Sequence, residues 1–249
     1  MPNLNKVKDP LPQVLEPVLK IGIVIPAHNE AETISDCLAS VQIAIDQLPS
    51  FIEAYPLVVL DSCTDNTLDL VMSKGVDYLI LNYRCVGQVR DTGIRHVISQ
   101  GATWVACTDA DSLVNPDWLI QQGAHIEDSS SKQGHCSKSC DMICGVVSIN
   151  DWDHLTDKTK KKYLAHYQDM MGHRHIHGAN LSFSSEAYLK VGGFANMPCH
   201  EDVDLVKRFE AKGYNIVWSN KVRVVTSSRL QARAKEGFAA FLTNLEHNG

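Results

Sequence analysis

The feature that most constrains this chain is a repeated unit: a short apolar run, an abrupt polar turn, then apolar residues at helical spacing. Ile21-Gly-Ile-Val-Ile25 is mostly β-branched and halts at Pro26, the pattern of a strand buried on both faces. Ile34, Leu38, Val41 and Ile45 then recur at helical spacing, with Asn29 or Glu30 near the helix start. Leu57-Val-Val-Leu60 runs into Asp61-Ser-Cys-Thr-Asp-Asn-Thr67, and Leu68, Val71 and Met72 resume the helical pattern. Tyr78-Leu-Ile-Leu81 predicts a third strand and residues 88–99 a helix. Trp104-Val-Ala-Cys-Thr108 predicts a fourth strand, ending at Asp109-Ala-Asp111. Such alternation predicts an α/β fold with a mostly parallel central sheet flanked by helices. Ligands of these sheets bind beyond the carboxyl ends of the strands, where all the polar turns named here fall.

Around this pattern the rest of the chain reads more simply. Residues 1–20 carry four prolines without apolar periodicity and form an extended lead-in. Residues 21–249 are expected to make one domain, since α/β sheets commonly reach about 250 residues. Residues 128–139 are polar and Ser/Lys-rich, a surface loop. A strand is expected over 141–149, a lysine-bearing helix over 155–171, a helix over 201–212 closed by Gly213, and two short strands at 216–218 and 222–226. The formal charge of −6 and the 21% charged content argue against both disorder and a polybasic nucleic-acid binder, so no nucleic-acid partner is expected. The longest apolar runs, Pro56 to Leu60 and Met142 to Ile149, fall short of the ~18–20 residues of a membrane-spanning helix. The N-terminal residues lack the apolar core of a secretory signal, which makes the cytoplasm the expected location. The eight cysteines read mainly as small buried hydrophobes.

Several side chains stand out for their chemistry. Asp109 and Asp111 lie one residue apart at a strand end. In extended backbone both would face one side, able to hold an oxygen-liganded cation against a diphosphate; the same residues also suit a hydrogen-bonded turn. His173, His175 and His177 alternate before Gly178-Ala-Asn180, which on a strand would put them on one side for metal or sugar contacts; as ordinary loop histidines they need no such role. Cys136, Cys140 and Cys144 with His135 form a possible zinc set, though without the paired Cys-x-x-Cys knuckles of structural zinc sites. Glu201 and Asp202 open a helix, a position where an acid commonly caps or complements the dipole.

Taken together the turns resemble a known family. Pro26-Ala-His-Asn-Glu30, Val58-Val-Leu-Asp-Ser-Cys-Thr-Asp-Asn-Thr67, Gly87-Gln-Val-Arg-Asp-Thr-Gly93, Thr108-Asp-Ala-Asp111, Gly178-Ala-Asn-Leu-Ser-Phe183, Gly192-Gly-Phe194 and His200-Glu-Asp-Val-Asp-Leu205 follow the order found in family 2 glycosyltransferases of the Rossmann-like GT-A fold. The resemblance covers residues 21–226. It implies a nucleotide-diphosphate sugar donor and a divalent cation, Mn2+ or Mg2+, held near Asp111 and Asp109 of a DXD motif spanning Ala110. Pro26, His28, Asn29, Glu30 and Asp61 would border the nucleoside. Asp202 would be the general base, with Glu201 the runner-up. If the protein supplies a third metal ligand, His200 or a late residue such as Ser227 could provide it, and the sequence alone does not choose. Arg90 would reach the nucleotide, unless it is a solvated arginine on an amphipathic helix. Arg229, in a tail that some short relatives fold back over the donor, would bind phosphate. On this resemblance residues 21–112 form the nucleotide-sugar half, 113–226 the acceptor half and 227–249 the tail. Two positions depart from the common pattern: Leu60-Asp61 replaces paired aspartates, and Asp91 stands where asparagine is usual.

The expected function is therefore that of a metal-dependent, inverting glycosyltransferase of hexosyltransferase type, moving a sugar to an acceptor hydroxyl. The acceptor, a small molecule, a glycan or a lipid-linked compound, is not named by the sequence. A noncatalytic nucleotide-sugar-binding module keeps the same motifs. A sugar nucleotidyltransferase would want a glycine-rich basic loop where Pro26-Ala-His-Asn-Glu30 stands.

Overall fold

The computed structural model describes residues 19–131, 139–149, 152, 155–227, 243 and 246. The first half of the chain alternates as its periodicity predicts. Strand β1 (Leu19–Ala27) is followed by α1 (Ile34–Asp46), β2 (Ile52–Asp61), α2 (Thr67–Ser73), β3 (Asp77–Leu81), α3 (Val86–Ser99) and β4 (Trp104–Cys107). Then come β5 (Ser112–Val114), α4 (Trp118–Ser131), β6 (Met142–Ile149), α5 (Asp157–His166), β7 (Leu181–Ser184), α6 (Ser185–Val191), α7 (Glu201–Ala211) and β8 (Ile216–Thr226). Among the described residues the strands form one eight-stranded sheet in the order β3-β2-β1-β4-β7-β6-β8-β5. The block β3-β2-β1-β4 is parallel throughout, and β7 joins it to the second half by antiparallel pairing with β4 and β6.

The unbroken apolar run of β1 serves both faces at once. Ile21, Ile23 and Ile25 pack with Ile34, Cys37 and Val41 of α1, while Val24 turns to the other face with Val59, Val89, Ile94 and Val97. Each fully buried side chain of this kind contributes about 1.5–3 kcal/mol. Helix α3 can approach this closely because Gly93 faces the sheet: a Cβ there would lie 2.6 Å from Val59 and 2.8 Å from Val24.

The structure corrects several boundaries. β2 starts at Ile52 rather than Leu57 and carries Pro56 within it. Pro56 pairs with Ile23 of β1, but β3 joins only from Leu57 onward, so the proline sits where β2 has one neighbour and no second ladder requires its missing N–H. Residues 128–131, expected in a loop, belong to α4, because its first turns bury Trp118 and Leu119 and the helix runs on past them. The expected helix over 155–171 is confined to Asp157–His166. The two late strands are a single β8, whose register against β6 slips between Gly145 and Val146. Residues 173–177 are loop rather than strand.

Asn180 locks the two halves of the sheet together. It is fully buried; its Oδ1 accepts from Trp118 Nε1 at 2.9 Å, and its Nδ2 donates to the carbonyls of Val146 at 2.8 Å and Val222 at 3.0 Å. Replacing it with alanine strands a buried indole N–H and two carbonyls, each costing about 1–3 kcal/mol if no water enters. Asn180→Ala is therefore expected to lower the unfolding free energy by at least about 2 kcal/mol, read as a lower urea midpoint at unchanged slope.

Candidate functional site

Register brings the polar turns to one edge. Ala27 pairs with Leu60 and Val24 with Cys107, so β1, β2 and β4 deliver residues 28–30, 61–67 and 108–111 side by side. The first two turns are cross-tied. His28 Nδ1 donates to the Asp61 carbonyl at 2.6 Å, Asn29 Oδ1 accepts from Thr64 N–H at 2.7 Å, and Glu30 N–H donates to Thr67 Oγ1 at 2.9 Å. Asn29 and Ser62 hold left-handed backbone, φ 52° and 55°, which these ties over-determine. Pro26 is half-buried, His28 exposed and Glu30 buried, with Glu30 Oε2 accepting from Thr33. Asp61 is also buried; its Oδ1 accepts from the Tyr83 N–H at 2.7 Å and the Ser62 hydroxyl at 3.1 Å.

The Asp109-Ala-Asp111 segment is a tight turn and not a continuation of β4. Ser112 N–H donates to the Asp109 carbonyl at 3.1 Å, and Ala110 is buried beneath it. The alternation expected of an extended backbone does not apply, yet both carboxylates remain half-buried at the strand end.

Arg90 is the centre of the site. It is 4% exposed, which excludes the solvated-helix alternative. Its Nη2 donates to Asp109 Oδ1 and its Nη1 to Glu201 Oε1, each at 2.6 Å. Burial works against the guanidinium charge, but Asp109 and Glu201 outweigh it and hold the group firmly protonated. On Glu201, 5% exposed, burial pushes the carboxyl up and Arg90 only partly pulls it back. Glu201 is thus an ion-paired side chain of the interior, not a solvent-facing cap.

Asp202, next on α7, is half-buried and bonds differently. Its Oδ2 accepts from the Gly178 N–H at 2.9 Å and its Oδ1 from the Val203 N–H at 2.8 Å. Gly178 lies flat on Arg90, where a Cβ would come within 2.6 Å of Nη1. His200 is the exposed residue before α7, with φ 60°. Asp204 pairs with Arg208 one turn along α7 at 2.8 Å.

The three alternating histidines gather into a stack although they do not form a strand. Tyr167 stacks on His175 at 4.1 Å, His173 lies 5.5 Å from His175, and Tyr167 Oη meets His177 Nε2 at 3.2 Å. Burial and the neighbouring histidines push His177 down to about 3, so it is neutral near pH 7. Tyr167, whose hydroxyl also accepts from the Val147 N–H at 2.7 Å, was not singled out by the sequence because its partners are tertiary. Among the described residues no group of three or more His, Cys, Asp or Glu side chains is arranged to hold a metal ion. Cys140 and Cys144 are buried, whereas Cys136, His135 and Arg229 lie outside the described residues.

The α/β sheet thus carries acidic turns at its carboxyl edge, with a second acidic pair tied to them through Arg90. The model of glycosyl transferase family 2 matches residues 22–133, and that of glycosyl transferase family group 2 matches residues 104–243, more than half of the chain. The chain belongs to the family 2 glycosyltransferases and has their GT-A fold. No curated protein sequence matches it. Similar solved structures include S. aureus TarS 1-349 in complex with UDP-GlcNAc (15% identity, TM-score 0.63, covering 88% of this chain and 61% of that one). The mannosyltransferase PcManGT from Pyrobaculum calidifontis, in complex with GDP-Man and Mn2+, is 18% identical with a TM-score of 0.61 over 86% of this chain and 58% of that one. Glucosyl-3-phosphoglycerate synthase from Mycobacterium tuberculosis, in complex with Mg2+ and UDP, is 16% identical with a TM-score of 0.51, covering 84% and 69%. The chain spans about three fifths of the length of the TarS chain it matches. Among the described residues no helix is long and apolar enough to cross a membrane.

Proposed function

We propose that this protein transfers a hexosyl group from a nucleotide-diphosphate sugar to an acceptor hydroxyl with inversion at the anomeric carbon. The observation that carries the reading is the Arg90 bridge. It joins Asp109, in the turn after β4, to Glu201, 111 residues from Arg90 in sequence, and so unites the two acidic motifs in one site. On this reading residues 21–112 form the donor half and 113–226 the acceptor half, with Pro26, His28, Asn29, Glu30 and Asp61 beside the nucleoside.

Direct displacement forms a bond from the acceptor oxygen to the anomeric carbon as the bond to the diphosphate oxygen breaks. The hydroxyl proton needs a base. Asp202 suits that role better than Glu201: both its oxygens are anchored by backbone N–H groups, yet a carboxylate offers about four lone-pair sites, whereas Glu201 is committed to Arg90. Asp109 and Asp111 are hard oxygen donors at the same edge and fit a divalent cation, Mn2+ or Mg2+, with donor phosphates completing its shell. Bound there, the ion would take up negative charge on the leaving diphosphate. Asp109 would share its carboxylate between that ion and Arg90, coupling the donor side to α7.

The first experiment is thermal stabilisation by nucleoside diphosphates and NDP-sugars, UDP-GlcNAc and GDP-mannose among them, with and without Mn2+ or Mg2+. A donor at about 100 times its dissociation constant adds about 2.7 kcal/mol. The expected result is a cation-dependent shift for one nucleotide class that Asp111→Ala abolishes. No shift with any donor would overturn the proposal. NMR of the product then reads the anomeric outcome, inversion being expected.

A further inference from the structure

Asp91 departs from the usual residue at its position, and the proposed reaction gives it no role; the structure surrounds it with unusual care. Tyr188 of α6 donates its hydroxyl to Asp91 Oδ1 at 2.6 Å and accepts the Phe194 N–H at 2.9 Å. Burial, with Asp91 beside it, pushes the Tyr188 hydroxyl far up, so it remains a proton donor. Arg95, one turn along α3, ties Asp91 Oδ2 at 2.7 Å and reaches the Gly192 carbonyl at 3.3 Å. Gly193, φ +80°, presses so close that a Cβ there would sit 2.3 Å from Asp91 Oδ1. The same end of α3 grips the chain that follows. Cys85 Sγ lies 3.4 Å from the Met197 carbonyl, a Cβ on Gly87 would touch the Ala195 carbonyl and Glu201 at 3.1 Å, and Arg90 binds Glu201. Residues 193–201 are therefore fastened to α3 at both ends, by Asp91 through Tyr188 and by Arg90.

We infer that Asp91 is a positioning residue for transfer: through the Tyr188 hydroxyl it holds residues 193–200, and with them the start of α7, at the height that aims Asp202 at the acceptor. This inference rests on the proposed reading of Asp202. Consecutive residues of one helix divide the task. Arg90 points inward to the two acids, and Asp91 points to the turn that feeds them. The hydrogen bonds described above for the turns after β1 and β2 run between those turns and to Tyr83 without involving Asp91, so loss of the Asp91 tie is expected to leave them in place.

Amide hydrogen exchange over residues 193–200, donor-induced thermal shift and transfer kinetics with UDP-GlcNAc or GDP-mannose and Mn2+ test the inference together. Tyr188→Phe keeps the ring, which stacks on Phe183 at 4.7 Å, and deletes only the hydroxyl. Tyr188→Phe and Asp91→Ala are expected to speed exchange in this segment and lower kcat about 10²-fold, the scale of a misplaced reacting group, with the donor KM and thermal shift unchanged. Asp91→Asn, which keeps an oxygen for the tyrosine, is expected to restore most of kcat. Wild-type exchange and kcat in Tyr188→Phe would overturn the inference, as would equal loss in Asp91→Asn and Asp91→Ala. Should no donor of the wider panel bind to or be turned over by the wild-type protein, the transferase reading fails, while the exchange arm still decides whether Asp91 fastens the segment.

Discussion

Arg90→Ala is expected to destabilise the protein by about 3–5 kcal/mol, the range for removing one partner of a buried ion pair, and to abolish transfer. The size follows from what is left behind. Glu201 is 5% exposed and one-third of the Asp109 side chain is exposed, so deleting the guanidinium leaves one carboxylate deep in the protein and another only partly solvated, both without their shared partner. Burial already pushes Glu201 up while Arg90 is present, and without that opposing charge it will bind a proton more readily. A carboxyl whose folded pKa exceeds its unfolded value makes the fold lose stability as pH rises between the two values. The penalty of Arg90→Ala should therefore be smallest below the ordinary glutamate value of 4.5 and grow above it. Urea titrations of wild type and variant across this range check the sign. A double-mutant cycle with Glu201→Gln should recover part of the loss, because the uncompensated charge is removed with it.

The second large effect concerns chemistry and not stability. Asp202→Asn is expected to lower transfer by about 10²–10⁴-fold, the usual contribution of a positioned general base, while the donor-induced thermal shift stays as in wild type. The amide keeps one oxygen to accept a backbone N–H, but its NH2 must face the other donor, Val203 or Gly178, so a modest fall in stability is expected alongside. Glu201→Gln weakens the Arg90 pair and should act mainly through stability. Near wild-type transfer in Asp202→Asn, with the loss appearing in Glu201→Gln, would move the base to Glu201.

The sheet was legible before any coordinates because its strands are continuous apolar runs that stop at polar turns. Ile21 to Ile25, Leu57 to Leu60 and Trp104 to Cys107 must be buried whatever their neighbours, and only a sheet covered on both faces does this for runs so short. Boundaries that depend on neighbours were not legible. Pro56 forbids a strand only where both edges need its N–H, and whether they do is a property of β3's register. Residues 172–200 have no dominant period, so β7 and α6 went unread, and the late strand pair turned out to be one strand with a register slip.

The site divides along the same physical line. The motifs after β1, β2 and β4 are local: each turn's residues are adjacent in sequence, so their order and spacing pointed to one sheet edge and to family 2 glycosyltransferases. Arg90 and Asp91 look alike in sequence, two charged neighbours on an amphipathic helix, and nothing local separates a solvated pair from a buried one. Their partners, Glu201 and Tyr188, lie 111 and 97 residues away. Sequence alone determined which segments must be buried and which polar residues crowd the strand ends, because apolar periodicity and turn chemistry act over a few residues. Only the tertiary structure decided that Arg90 joins the two acidic motifs and that Asp91 braces the turn before α7, because ion pairing and close packing depend on which distant side chains share a low-dielectric interior.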